Sequence, residues 1–164
     1  MSAVWAWILL HPAKAVVDEL SPAGTDAGGV FVLEPERWIG KRFPLASEIE
    51  GVQPLLHGDW TIILFHHDCS TCREVVPKYL QATHEPNRAS FRLAVVEIPP
   101  KAIRDLIDLS DLPAPGMQLS LREGREWFAQ TPVVVLLKDG FAISTATGEA
   151  AADPTALLRQ MKQH

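Results

Sequence analysis

Residues 60–65, Trp-Thr-Ile-Ile-Leu-Phe, form an unbroken apolar run rich in β-branched side chains, and the chain's two cysteines, Cys69 and Cys72, follow at once. A short run that is apolar at every position reads as a strand buried on both faces of a sheet. After the cysteines, Val75, Val76, Tyr79 and Leu80 recur at helical spacing within residues 73–82. Pro77 falls inside that helix, where proline removes a backbone donor and is expected to kink it. The cysteine pair therefore sits on a strand-to-helix turn, which constrains the rest of the fold more than any other feature.

The elements that follow fit one sheet. Residues 91–98 read as a second buried strand, residues 102–109 as a helix, and residues 132–137 as a third strand. Lys138-Asp139-Gly140 is a hairpin signal, because Asp-Gly supplies the positive φ angles that a tight turn needs, and residues 141–143 read as the antiparallel partner. Asp153-Pro154 then caps a final helix, with aspartate at the N-cap and proline at the first helical position. This order predicts an α/β chain with a central mixed sheet flanked by helices. A right-handed crossover places Cys69 at the carboxyl edge of the first core strand. Earlier in the chain, residues 12–30 are rich in breakers and read as a connector, and residues 30–33 as a short strand. Residues 34–45 are turn-like, with Trp38, Ile39, Phe43 and Leu45 expected to pack on the domain. The expected organisation is an N-terminal extension over residues 1–54 and a domain over residues 55–164.

Disulfide exchange needs a thiolate that attacks a disulfide sulfur and a second thiol that resolves the mixed disulfide. Cys69 at the start of a helix is placed to be the nucleophile, since unpaired backbone N–H groups and the positive helix end favour its thiolate. Cys72, one turn in and more buried, is placed to resolve. His66, His67 and Asp68 are candidate modulators: the acid opposes thiolate formation, and a protonated imidazole favours it. Glu97 at a strand end is a candidate proton acceptor, read more simply as a solvated carboxylate. Trp60 and Trp127 read as packing residues, and His84 as part of a solvated loop.

These residues resemble the thioredoxin superfamily. The matching positions are residues 62–65 before the cysteines, Cys69 and Cys72, Pro77 five residues later, and Thr131-Pro132 ahead of residues 133–140. The resemblance implies a thioredoxin-like fold over about residues 55–160 and a cis peptide bond at Pro132 facing the cysteines. It also implies that Thr131 and Pro132 bind an extended protein substrate through the backbone. Residues 38–45 and 58–65 look more specifically like the peroxiredoxin-like and cytochrome-c-maturation-type (TlpA-like) reductases, which are often tethered outside the cytoplasm. Three departures stand out. Asp68 replaces the family's tryptophan, Ser70-Thr71 replaces its Gly-Pro centre, and Ile63 replaces its buried acid. The segment between Glu97 and Phe128 is longer than in a minimal thioredoxin, which makes it a place for specificity.

The 164-residue chain is long enough to bury a core without disulfide staples, and two cysteines are too few for a disulfide framework or a four-cysteine zinc site. A net charge of −5 gives no basis for binding nucleic acid or an anionic membrane surface. The expected partner is a protein disulfide or dithiol, with no cofactor and no metal. The competing reading is a non-catalytic metal-binding or interaction module, because His66, His67, Asp68, Cys69 and Cys72 gather zinc- or copper-type ligands. The peroxiredoxin pattern of proline and threonine before the first cysteine is absent. Residues 2–10 form an apolar start, too short to span a bilayer, that reads as a packed helix, the tail of an anchor, or a disordered end. Membrane association is expected only through that segment, and an extracytoplasmic setting is favoured over a cytoplasmic one.

Overall fold

A computed structural model describes residues 24–27, 30–85, 92–100 and 104–161. The apolar start at residues 2–10 lies outside them. The strands are β1 (Gly24–Ala27), β2 (Val30–Leu33), β3 (Asp59–Phe65), β4 (Leu93–Glu97), β5 (Met117–Ser120), β6 (Glu126–Phe128), β7 (Val133–Lys138) and β8 (Phe141–Thr147). Helix α1 spans Ser70–Thr83 and α2 spans Pro154–Met161. The main sheet has the order β5-β4-β3-β7-β8. In it β3 runs parallel to β4 and antiparallel to β7, and β4 runs parallel to β5. The sheet is therefore mixed, as the element order predicts.

The uninterrupted apolar strands divide cleanly between two cores. Trp60, Ile62 and Leu64 of β3, Ala94 and Val96 of β4, and Val133, Val135 and Leu137 of β7 face one side. There they meet Trp38, Phe43, Leu45, Ile49, Val52 and Leu55 from the 3₁₀ turns at Pro35–Trp38, Pro44–Glu48 and Gln53–Leu56 and the chain between them. Ile63 and Phe65, Leu93 and Val95, and Val134 face the other side, against α1. The period of two along a strand turns one apolar run into two buried faces. On α1, Cys72, Val75, Val76, Tyr79 and Leu80 are buried, the spacing of a single helical stripe. The helix continues through Pro77. The hairpin forms at Asp139 (φ 50°) and Gly140 (φ 79°). Asp153 Oδ1 accepts from the N–H groups of Thr155 and Ala156 at 2.8 and 3.2 Å, capping α2.

Several expectations fail for tertiary reasons. Residues 104–109 are not helical, and Asp105 has φ 52°. Their apolar positions answer to burial and side-chain hydrogen bonds rather than to a helical period. Within the expected connector, Gly24–Ala27 pairs antiparallel with β2, which draws a breaker-rich segment into a strand. Ile39 is 52% exposed, although Trp38, Phe43 and Leu45 pack as expected. A small second sheet, β1-β2-β6, pairs β2 parallel to β6. Phe31 and Trp127 meet edge to face there at 5.3 Å, with the Arg125 guanidinium over both rings. This sheet anchors the chain just ahead of Thr131.

Candidate active site

The turn after β3 ends in an extended residue, Cys69 (φ −78°, ψ 117°), which is the N-cap of α1. Its Sγ accepts the backbone N–H of Cys72 at 3.1 Å, taking the place of the usual oxygen cap. Its thiol also reaches the Thr131 carbonyl at 3.6 Å. Cys69 is half-buried and Cys72 is fully buried, and both are free thiols. Burial, reinforced by the hydrogen bond to Cys69, pushes the Cys72 thiol up to about 12. The two sulfurs thus differ in access, with Cys69 the open one.

The Thr131–Pro132 peptide bond is cis, and the Pro132 carbonyl accepts from Gly148 N–H at 2.9 Å. Thr131 lies opposite Cys69 because β6 and β7 hold its loop from both ends. Of the three candidate modulators, His66 is half-buried, Asp68 is exposed and His67 is buried. The His67 ring turns away from the solvent. Its Nδ1 accepts the N–H of Ile107 at 2.8 Å, which leaves the ring proton on Nε2, 3.6 Å from Glu97 Oε1. Phe65 meets the same ring edge to face at 4.9 Å. The Arg73 Nε donates to the His67 carbonyl at 2.9 Å, fixing the turn to the first turn of α1.

Sequence reasoning missed this imidazole bridge, since Ile107 is forty positions away and no local pattern marks it. Glu97 is 15% exposed and lines a polar groove of about 730 Å³ with Gln118, Ser120 and Arg122, at the carboxyl ends of β4 and β5. Trp60 and Trp127 are buried packing residues, their indole N–H groups satisfied by the carbonyls of Pro54 and Arg122. His84 caps the end of α1 and contacts the Asp111 carbonyl at 3.1 Å. Among the described residues no group of three or more His, Cys, Asp or Glu is arranged to hold a metal ion. His67 has both ring nitrogens turned to protein partners, so it does not converge with the sulfurs on a common ligand.

One solved structure aligns with the chain at a TM-score of 0.52 and 18% identity, covering 68% of this chain and 83% of its own. It is a protein described as a thiol:disulfide interchange protein, DsbE, from Chlorobium tepidum. This chain has the thioredoxin fold. A thiol-disulfide isomerase from Corynebacterium glutamicum aligns at a TM-score of 0.47 and 13% identity, over 67% of this chain and 83% of its own. No family model and no curated relative matches the sequence. Within the thioredoxin fold, Cys69 caps the helix that follows the central strand and Cys72 lies in that helix's first turn, and no described helix is long and apolar enough to cross a membrane.

Proposed function

We propose that this protein is a thiol–disulfide oxidoreductase that acts on a protein partner through Cys69 and Cys72. The observation that carries the reading is Cys69 Sγ at the amino end of α1, receiving the Cys72 N–H and lying against the Thr131 carbonyl. The sulfur is half-exposed where a partner's disulfide can meet it, and the loop at Thr131 offers backbone groups to an extended chain.

In the reductive direction the Cys69 thiolate attacks one sulfur of the partner's disulfide. That S–S bond breaks, a mixed disulfide forms, and the departing partner thiolate takes a proton from solvent. Cys72 then gives up its proton and attacks Cys69 Sγ, the mixed disulfide breaks, and the partner leaves with its second thiol. Two electrons pass to the partner, and Cys69–Cys72 becomes a disulfide. No organic cofactor or metal takes part. Thr131 and Pro132 hold the substrate backbone in this scheme, and His67 shapes the turn rather than exchanging protons with the substrate. The setting that fits is outside the cytoplasm, an inference from the apolar start and the residues before β3 that resemble tethered reductases.

The test is reduction of insulin, followed by turbidity and driven by dithiothreitol, with the wild type, Cys69→Ser and Cys72→Ser. Activity above the dithiothreitol background that both variants lose supports the reading. A wild type no faster than background, purified with about one metal ion per chain, refutes it in favour of a metal-binding module. The reduction potential of the pair, titrated against glutathione, sets the physiological direction.

A further inference from the structure

Between β4 and β5, Leu106 points outward and Ile107 inward, tied to the cysteine turn. Asp105 takes a left-handed backbone (φ 52°), a conformation that aspartate tolerates better than most residues. Beyond it the side chains alternate: Leu106 is 59% exposed, Ile107 is buried, Asp108 is exposed, and Leu109 is half-buried. Ile107 belongs to the same apolar cluster as Cys72, and Leu109, Leu112 and the half-buried Cys69 pack against that cluster. Asp108 Oδ1 accepts from Ser110 N–H at 2.9 Å and stiffens the next turn. The Ile107 N–H is held by His67 Nδ1, and His67 lies two residues before Cys69, a span of at most about 7 Å.

A single exposed leucine is ordinary on a protein surface. Leu106 differs because its neighbour is bonded to the turn that carries the open sulfur. Its outward direction is set by a buried hydrogen bond, so little ordering remains to be done when a partner covers it.

We propose that Leu106 is a specificity residue for the protein substrate, gripping an apolar side chain close to the partner's reacting cysteine, and that His67 is its positioning residue through Ile107. The inference deepens the exchange reading and rests on it. A small disulfide that carries no polypeptide does not reach Leu106, whereas a protein disulfide does.

The experiment compares kcat/KM for insulin with kcat/KM for hydroxyethyl disulfide. Leu106→Ala is expected to lower the insulin-to-small-disulfide ratio about five- to tenfold, mostly through KM for insulin. Ile39→Ala, an equally apolar surface change beside Trp38 on the opposite face of the sheet, leaves the ratio at its wild-type value. His67→Gln keeps a donor toward Glu97 but loses the acceptor for Ile107, and is expected to lower the ratio as Leu106→Ala does. His67→Asn keeps an acceptor near the Nδ1 position and restores it. Amide hydrogen exchange at Ile107 reads the tether directly: fast in His67→Gln, slow in His67→Asn. An active wild type whose ratio Leu106→Ala does not move overturns this proposal alone. A wild type inactive on both disulfides overturns the exchange reading, and this one with it.

Discussion

Burial of Cys72 has a consequence that can be followed in a Cys69→Ser variant by alkylation with iodoacetamide. Burial raises its thiol from the ordinary 9.0 to about 12. At pH 7 about 10⁻⁵ of it is then thiolate, and because only the thiolate is alkylated, the rate follows that fraction. Between pH 7 and about 10.5 the rate is expected to climb about 3,000-fold, tenfold per pH unit, with no plateau. An ordinary thiol would climb only about 100-fold over the same range and level off near the top. Serine at position 69 keeps a hydroxyl near the Cys72 sulfur and leaves the burial, the larger cause, in place. Circular dichroism at each pH confirms that the fold persists. A plateau below pH about 10 would refute the argument that burial controls this sulfur, and with it the assignment of Cys72 as the thiol that must be helped to ionise before it resolves.

The same shift has a stability counterpart: in the reduced protein the Cys72 contribution is fully present below pH about 9 and is lost as pH rises toward about 12, so the reduced form should weaken against the disulfide form over that window in urea titrations. Tyr79, raised by burial and by the Asp153 charge, weakens both forms alike and cancels in the comparison. Tyr79→Phe removes a fully buried hydroxyl that donates to the Ala151 carbonyl at 2.9 Å, and is expected to cost about 1–3 kcal/mol in denaturant unfolding; no change would mean that water replaces the bond. Asp153→Ala removes the side-chain acceptor for two N–H groups at the start of α2, a loss of about 1 kcal/mol that thermal unfolding would register as a lower Tm.

How much of this was legible depends on the range over which each feature is decided. Residues 60–65 announced a doubly buried strand through composition alone, and the helix stripe from Cys72 to Leu80 followed from spacing. The Asp139-Gly140 turn and the Asp153 cap were readable because backbone φ and a neighbouring N–H settle them within a few residues. Gly24–Ala27 was not readable: its strand comes from pairing with β2, and no local pattern marks that partner. Residues 102–109 invited a helix because Leu106, Ile107 and Leu109 are close together, yet residues 104–109 follow an irregular path beside His67. Ile39 looked like a core residue and is exposed, since the turn after Trp38 spends its buried position on the indole.

The amino-acid sequence by itself determined the strand, the cysteine turn and the helix, together with the resemblance that draws Thr131 and Pro132 toward them, because hydrophobic period, capping and turn chemistry act over short stretches of chain. Only the tertiary structure decided that Thr131 meets Cys69, that Cys72 is sealed from water, and that His67 holds Ile107 with one nitrogen and faces Glu97 with the other. Those contacts join residues tens of positions apart. Their geometry, and the desolvation that comes with it, exist only once the sheet has closed over both of its cores.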